Sequence, residues 1–122
     1  NENPWTKKMI LSELETHKYK KTLIIEKKHN MLGYLMIHFF QTEYQIINFG
    51  IKKEYQDRGI GRLFLNFFLN KIPYNSSVFL EVKESNFGAI KLYKNLGFVT
   101  QYIRKRYYED GSNAINLFYL KK

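Results

Sequence analysis

The 122-residue sequence has no cysteine, only two prolines and no long apolar run. The absence of cysteine excludes disulfides, thiolate metal sites and covalent catalysis through a cysteine, and it is compatible with a reducing cytoplasm, where we expect the protein to act. No uncharged apolar stretch approaches the ~20 residues that a membrane helix needs, and no signal peptide is visible. We therefore expect no membrane partner.

The chain also lacks repeats, low-complexity stretches and Pro/Gly-rich linkers, so we expect a single domain over residues 1–122. Its three histidines, His17, His29 and His38, are far apart and show no ligand spacing, so we expect no metal. The formal charge of +9 favours an anionic partner such as nucleic acid or a polyphosphate cofactor. The lysines are scattered, however, and most of them are expected on the solvated surface.

Hydrophobic periodicity in the first half predicts one helix and three strands. Met9, Ile10 and Leu14 fall at helical spacing and predict an amphipathic helix over residues 6–18. Apolar runs over residues 21–27, 32–40 and 44–51 predict strands, with a tight turn at residues 29–31 and the third strand antiparallel to the second.

In the second half the pattern alternates between helix and strand. Residues from Gly59 onwards predict a helix that stops before Pro73, and a short buried strand follows at residues 78–82. Ser85 and Asn86 are suited to cap a second helix, with Gly97 just after its end. Residues 98–108 and 114–120 predict two closing strands. The order indicates an α+β protein with a mixed, mostly antiparallel sheet and a central parallel strand–helix–strand crossover.

The turn Gly59-Ile60-Gly61 is the first feature that suggests chemistry. It lies between a predicted strand and a helix, where backbone N–H groups without internal partners favour an anion. Arg58 and Arg62 bracket the turn and can add charge-assisted bonds to a phosphate. A P-loop is disfavoured because no Gly-Lys-Ser/Thr is present, and a dinucleotide fold because position 64 is Phe. The turn alone predicts only an anion site.

Longer motifs make this prediction more specific. Gln56-Asp57-Arg58-Gly59-Ile60-Gly61 matches the Gln/Arg-x-x-Gly-x-Gly/Ala signature of the GNAT acetyltransferase superfamily. The stretch from Leu80-Glu81-Val82 through Ser85-Asn86, Ala89, Leu92-Tyr93 and Leu96-Gly97-Phe98 resembles bacterial ribosomal-protein-alanine N-acetyltransferases of the RimI type. Arg104-Lys105-Arg106-Tyr107-Tyr108 and Asn3-Pro4-Trp5 resemble the tail and the opening of the same family.

This resemblance implies a GNAT-like sheet with helices packed on both faces, and acetyl-CoA as co-substrate. The family's strand and helix ahead of Asn-Pro-Trp are missing here, so we expect an incomplete wall on the acceptor side. The residues implied to contact acetyl-CoA are Phe49, Gly50 and Ile51 for the pantetheine amides, Gln56, Asp57, Arg58, Gly59, Ile60, Gly61 and Arg62 for the pyrophosphate, and Asn86 and Tyr93.

Two residues are candidate catalysts. Glu81 is an isolated carboxylate in an apolar strand, and the resemblance makes it the general base, acting through water. Tyr93 is the candidate acid for the departing thiolate, although without the Leu92-Tyr93 match it would be interpreted as ordinary helix packing. The resemblance also implies that a backbone N–H in residues 49–51 holds the oxyanion. Tyr107, Tyr108 and Trp5 are expected to line the acceptor site.

The acceptor is left open by these motifs. An α-amine has a pKa of ~7.7–8.0 and a lysine ~10.4, so deprotonating the α-amine at neutral pH is easier by about 3.5 kcal/mol. We therefore favour a protein N-terminus as acceptor, and the resemblance implies that of a ribosomal protein. We expect no nucleic acid as a direct ligand. The alternatives are a small amine, polyamine or lysine side chain, a sensor that only binds acetyl-CoA, and a basic nucleic-acid-binding module.

Overall fold

The computed structural model describes residues 9–122, which form a single mixed sheet with two α-helices. The elements in chain order are β1 Met9–Thr16, β2 Lys20–Lys27, β3 Asn30–Phe40, β4 Glu43–Ile51, α1 Ile60–Lys71, β5 Ser77–Lys83, α2 Phe87–Asn95, β6 Val99–Arg104 and β7 Ala114–Leu120. The strand order is β1-β2-β3-β4-β5-β7-β6. Among the strands of residues 9–122, only the β4–β5 pairing is parallel, which confirms the predicted α+β class and the central crossover.

The predicted N-terminal helix is wrong over the described residues, because Met9–Thr16 is the edge strand β1. It pairs antiparallel with β2, so that Leu11 lies opposite Ile25. Met9 and Leu11 pack against the core on alternate positions. Three apolar residues in a short window fit both the helical period and the strand period. Hydrogen bonding to the edge of β2 favours the strand. Residues 6–8 of the predicted helix lie outside the described part of the chain.

Two element boundaries also differ from prediction. The β2–β3 turn is at Lys28 and His29, whose φ angles of 52° and 67° give a tight hairpin, and Asn30 already begins β3. The strand predicted over residues 98–108 ends at Arg104. The chain then forms a loop in which the backbone N–H of Arg106 donates to Asn113 Oδ1 at 2.9 Å. The predicted antiparallel pairing of β3 with β4 is confirmed.

Both helices begin and end as the sequence indicates. Helix α1 starts after Gly59 and its last residue is followed by Ile72 and Pro73. Helix α2 is capped by Asn86, whose Oδ1 accepts a hydrogen bond from the backbone N–H of Ala89 at 3.2 Å. Gly97 follows α2 with a φ of 106°, a left-handed conformation that favours glycine.

The two helices lie on one face of the sheet. The connections β4–α1–β5 and β5–α2–β6 step across the sheet in the same direction, and right-handed crossovers then place both helices on the same side. Phe49 of β4 contacts both Phe64 of α1 and Tyr93 of α2, at ring-centroid distances of 5.8 and 6.5 Å. Within residues 9–122 no helix covers the opposite face, so the expectation of helices on both faces holds for one face only.

Candidate functional site

The central feature of the site is a gap between β4 and β5. The two strands pair over only three positions, from Glu43 with Ser77 to Gln45 with Phe79. Beyond them β4 runs on to Ile51 and β5 to Lys83, with no further pairing between the two strands among the described residues. A bulge in β4 accompanies the divergence, since Ile46 and Asn48 face adjacent residues of β3. The backbone N–H and C=O groups on the β5-facing edge of β4 therefore have no strand partner beyond Gln45, and an extended ligand could pair with them.

The N-terminus of α1 lies next to this gap. The chain leaves β4 at Ile51, where Gln56 Nε2 donates to the Ile51 carbonyl at 2.9 Å and closes the loop. Gly59 is the N-cap residue and provides no side-chain cap, and the first turn of α1 contains no acidic residue. Arg58 and Arg62 are exposed on either side of the turn. N–H groups without a side-chain cap, the helix dipole and two guanidinium groups are all features that favour an anion.

The two glycines of this turn have different roles. Gly59 has a φ of +77°, and a Cβ built there would meet no atom within 4 Å, so backbone conformation is the reason for glycine. Gly61 has no such conformation, and a Cβ there would make ordinary contacts of 3.6–3.7 Å with Phe49, Ile51 and Leu92. The packing of the chain itself therefore does not require glycine at position 61.

The need for glycine at position 50 is explained by Tyr34, a residue that no sequence motif indicates. A Cβ at this position would lie 2.7–2.9 Å from ring atoms of Tyr34 on the neighbouring strand β3. The Tyr34 hydroxyl donates to Asn48 Oδ1 at 3.0 Å, which holds the ring over Gly50. The room that Gly50 leaves is thus filled by Tyr34, on the face opposite the helices.

Glu81 lies on the face of β5 that points away from the helices. Its neighbours Leu80 and Val82 are buried in the helix-side core, and strand alternation places Glu81 on the other side. The Glu81 side chain is 24% exposed, and its Oε2 is 3.0 Å from Arg104 Nε. A hydrogen bond with Tyr102, followed by the charge of Glu81, raises the pKa of Arg104. In the sequence, Arg104 is indicated only through the resemblance, as the first residue of the Arg-Lys-x-Tyr-Tyr tail.

A cavity of about 640 Å³ opens in front of Glu81 on this helix-free face. Its lining includes Gln45, Tyr102 and Tyr107 from three parts of the chain. Asn116 lies opposite Glu81 in the sheet, and its buried Nδ2 has no hydrogen-bond partner in the described part of the chain. The cavity can therefore accept a polar group beside the carboxylate.

The loop between β6 and β7 borders this cavity and is tied to the end of β5. Glu84 accepts a hydrogen bond from Asn113 Nδ2 at 3.0 Å, and Lys83 Nζ lies 2.6 Å from Asp110 Oδ2. Lys83, and then Ser112, hold the pKa of Asp110 well below its usual value.

Two tyrosines of this loop were predicted to line the acceptor site. The rings of Tyr107 and Tyr108 meet edge to face at 5.2 Å, and Tyr107 is exposed at the cavity. Trp5, the third residue predicted here, lies outside the described residues.

Tyr93 lies on the opposite side of the gap from Glu81. It belongs to α2, is 5% exposed and packs edge to face on Phe49 and Phe98. Burial raises the pKa of the Tyr93 phenol, so the hydroxyl stays protonated through the physiological range. The structure thus brings Tyr93 to the helix side of β4 and Glu81 to the cavity side of β5.

The sequence matches the family model described as "Acetyltransferase (GNAT) family" over residues 1–98. The chain belongs to the GNAT family. Its members transfer acetyl groups from acetyl-CoA, so this GNAT chain is an acetyl-CoA-dependent N-acetyltransferase.

Within the family, the chain is similar to proteins named as ribosomal-protein-alanine N-acetyltransferases. A Bacillus subtilis protein, whose name assigns it provisionally as a [ribosomal protein bS18]-alanine N-acetyltransferase, is 34% identical over 116 residues, which cover 93% of this GNAT chain and 77% of the relative. The [ribosomal protein bS18]-alanine N-acetyltransferase of Salmonella typhimurium is 29% identical over 107 residues, covering 86% of this chain and 71% of the relative.

Solved structures confirm the fold. The ribosomal-protein-S18-alanine N-acetyltransferase from Escherichia coli superposes with a TM-score of 0.82 at 22% identity, covering 93% of each chain. A GNAT acetyltransferase from Elizabethkingia anophelis with acetyl-CoA bound gives a TM-score of 0.81 at 15% identity, covering 94% of this chain and 99% of the other.

The helices within residues 9–122 are too short or too polar to span a membrane. Nowhere in the same residues do three or more His, Cys, Asp or Glu side chains group closely enough to hold a metal ion.

Proposed function

We propose that this enzyme acetylates the N-terminal α-amine of a protein, with ribosomal protein bS18 as the acceptor. The observation that carries the proposal is the gap between β4 and β5, which has an anion site at one end, Tyr93 on its helix side and Glu81 on its cavity side. The names of the two curated relatives support this acceptor. Such an acceptor implies a cytoplasmic enzyme.

Acetyl-CoA fits the gap as an extended ligand. Its pyrophosphate would sit on the uncapped first turn of α1, with Gln56, Asp57, Arg58, Gly59, Ile60, Gly61 and Arg62 around it. Its pantetheine arm would lie along the edge of β4 at Phe49, Gly50 and Ile51, hydrogen-bonded as an added strand. Asn86, exposed at the start of α2, would contact the arm while its Oδ1 caps the helix.

The proposed chemistry is the direct attack of a neutral amine on the thioester. The amine nitrogen bonds to the carbonyl carbon, the carbon–sulfur bond breaks, and a backbone N–H of β4 holds the oxyanion in between. The proton lost by the amine goes through water to the Glu81 carboxylate. The departing thiolate takes a proton from the Tyr93 hydroxyl. Both groups then exchange protons with solvent.

The cavity side favours a peptide terminus as acceptor. A cavity of about 640 Å³ accommodates the end of a peptide. The exposed rings of Tyr102 and Tyr107 line the cavity and offer apolar contact to that peptide. A modest base such as Glu81 suffices to deprotonate an α-amine. A lysine amine has a pKa ~2.5 units higher and needs a stronger base.

An acceptor competition tests this function. The enzyme would be incubated with acetyl-CoA and a peptide with the N-terminal sequence of bS18, the same peptide with its α-amine blocked, or spermidine, and products would be read by mass spectrometry. We expect one acetyl group on the unblocked peptide and none on the other two. Equal acetylation of the blocked peptide would rule out the N-terminal acceptor, and preference for spermidine would make the enzyme a polyamine acetyltransferase.

A binding measurement tests the donor site separately. Acetyl-CoA should raise the melting temperature of the protein, because a ligand that binds only the folded state stabilises it. The variant Arg62→Gln should show a smaller shift at the same ligand concentration, since one charge-assisted phosphate contact is lost. No shift with millimolar acetyl-CoA would contradict the proposed donor site.

A further inference from the structure

The ion pair between Glu81 and Arg104 spans three strands. Glu81 is on β5 and Arg104 is on β6, with β7 between them in the sheet. Glu81 lies in register with Asn116 and Arg104 with Ala114, so the arginine reaches diagonally across β7 to the carboxylate. The contact joins Arg104 Nε to Glu81 Oε2 at 3.0 Å.

Stability is a poor explanation for this contact. The Arg104 side chain is 50% exposed, and ion pairs with one well-solvated partner contribute little to folding. Arginine differs from lysine in its planar, rigid group of donors, which fixes the orientation of a carboxylate as well as its charge. The geometry therefore suits orientation of Glu81 better than stabilisation of the sheet.

Two tyrosines at the cavity flank Arg104. Its guanidinium carbon lies 5.1 Å from the centroid of the Tyr107 ring, within the range of a cation–π contact. Tyr102, two residues earlier on β6, lies on the same side of the strand. Because both tyrosines line the cavity in front of Glu81, the arginine is supported on the side where an acceptor enters.

We propose that Arg104 is a positioning residue, which holds Oε2 of Glu81 so that Oε1 is the oxygen presented to the water that removes the amine proton. This inference rests on the proposed function, because it takes Glu81 as the general base. Arg104 does not contact the reacting atoms, and it acts only through the orientation of the carboxylate. Loss of the arginine is therefore expected to lower kcat without weakening the binding of either substrate.

A double-mutant cycle on the full chain tests the proposal, with kcat and KM measured for acetyl-CoA and for the bS18 peptide. We expect Glu81→Gln to lower kcat by about 10²–10³-fold, as for loss of a general base. Arg104→Gln should lower kcat by about 10-fold or more, because a small misplacement of a catalytic group is costly, and leave both KM values within about twofold. The double variant should match Glu81→Gln alone.

Two further variants control the cycle. Lys21→Gln removes the ion pair of Lys21 with Glu13, which has a similar length of 3.1 Å but whose two residues do not line the cavity, and it should leave kcat unchanged. Arg104→Lys keeps the charge without the planar group and should recover only part of the lost kcat. Should Arg104→Gln fail to fold, Arg104→Lys replaces it in the cycle.

The outcomes separate the two proposals. If the losses of kcat multiply in the double variant, Arg104 acts independently of Glu81 and the positioning role is overturned. A rise in peptide KM with unchanged kcat would make Arg104 a binding residue and also overturn it. Unchanged kcat in Glu81→Gln would refute the base itself, whereas acetylation of the wrong acceptor would refute the proposed function with the cycle intact.

Discussion

Glu81 and Tyr93 lie on opposite sides of one sheet, on either side of the region where β4 and β5 do not pair. Glu81 faces the helix-free cavity, and Tyr93 packs on Phe49 at the helix side of β4. A ligand in the gap would therefore meet one proton acceptor and one proton donor from different directions. This arrangement suits a reaction in which the nucleophile arrives on one side and the leaving group departs on the other.

Replacement of Tyr93 by Phe should lower the catalytic rate without disturbing the fold. The ring keeps its contacts with Phe49 and Phe98, so the fold should remain intact, while the proton donor for the thiolate is lost. We expect kcat to fall by about 10²-fold with little change in the KM for acetyl-CoA. Steady-state kinetics measure the effect, and a variant with full activity would remove Tyr93 from the mechanism.

The same substitution has a consequence for stability at alkaline pH. Because burial raises the pKa of Tyr93 above its exposed value of 10.0, the folded state holds the phenolic proton more tightly than the unfolded state. This contribution to the free energy of unfolding is fully present below about pH 10 and is lost as the pH rises further. Urea unfolding at pH 9 and pH 11 should show a smaller alkaline loss in Tyr93→Phe than in the wild type, and an equal loss would contradict the prediction.

Gly59 and Gly61 should respond differently to alanine. Gly59→Ala strains a left-handed residue and should cost about 1–2 kcal/mol of stability. Gly61→Ala makes only ordinary contacts and should stabilise α1 by up to about 1 kcal/mol. It should nevertheless weaken the binding of acetyl-CoA, because the new methyl group lies between the first turn of α1 and Phe49 and Ile51 of β4, where the ligand is proposed to run. Chemical denaturation and calorimetric titration measure the two effects, and undiminished affinity in Gly61→Ala would argue against the proposed donor site.

Gly50 and Tyr34 should be energetically coupled. Gly50→Ala puts a Cβ within 2.7–2.9 Å of the Tyr34 ring, which must move and break its hydrogen bond to Asn48. We expect a loss of about 1–3 kcal/mol. In a Tyr34→Ala background the same change should cost much less, since the ring is gone. Unfolding experiments on the four proteins give the coupling energy, and strictly additive losses would show that the contact is not the reason for glycine.

Lys121 should stabilise the C-terminus of α1 from the far end of the chain. Its Nζ donates to the backbone carbonyls of Asn70 and Ile72 at 3.0 and 2.7 Å, which satisfies acceptors that the helix leaves without partners. Lys121→Met should lower the free energy of unfolding by about 1–2 kcal/mol. The neighbouring exposed Lys122, replaced in the same way, is the matched control and should have almost no effect.

Much of the site could be predicted from the sequence because its signals are local. The helix start at Gly59, the Asn86 cap and the glycine after α2 are encoded within a few residues of where they act. The motif from Gln56 to Gly61 was enough to predict an acetyl-CoA loop once the downstream segments resembled the same family. The parallel crossover followed from the strand–helix–strand order, because such connections are right-handed.

Other features depend on contacts between distant segments. Residues 9–16 have a pattern that fits a helix, and only pairing with β2 makes them a strand. The ring of Tyr34 over Gly50 depends on the register of β3 with β4, and the contact of Arg104 with Glu81 depends on β7 lying between β5 and β6.

By itself, the sequence determined where both helices begin and end, because capping, glycine conformation and hydrophobic period act over a single turn of chain. Its motifs also indicated the family, and through that resemblance a candidate phosphate loop, base and acid. Only the tertiary structure decided that Glu81 and Tyr93 face opposite sides of the gap, that β1 is a strand and that Arg104 contacts the Glu81 carboxylate. Sheet order and register bring those residues together, and neither is encoded within any one segment.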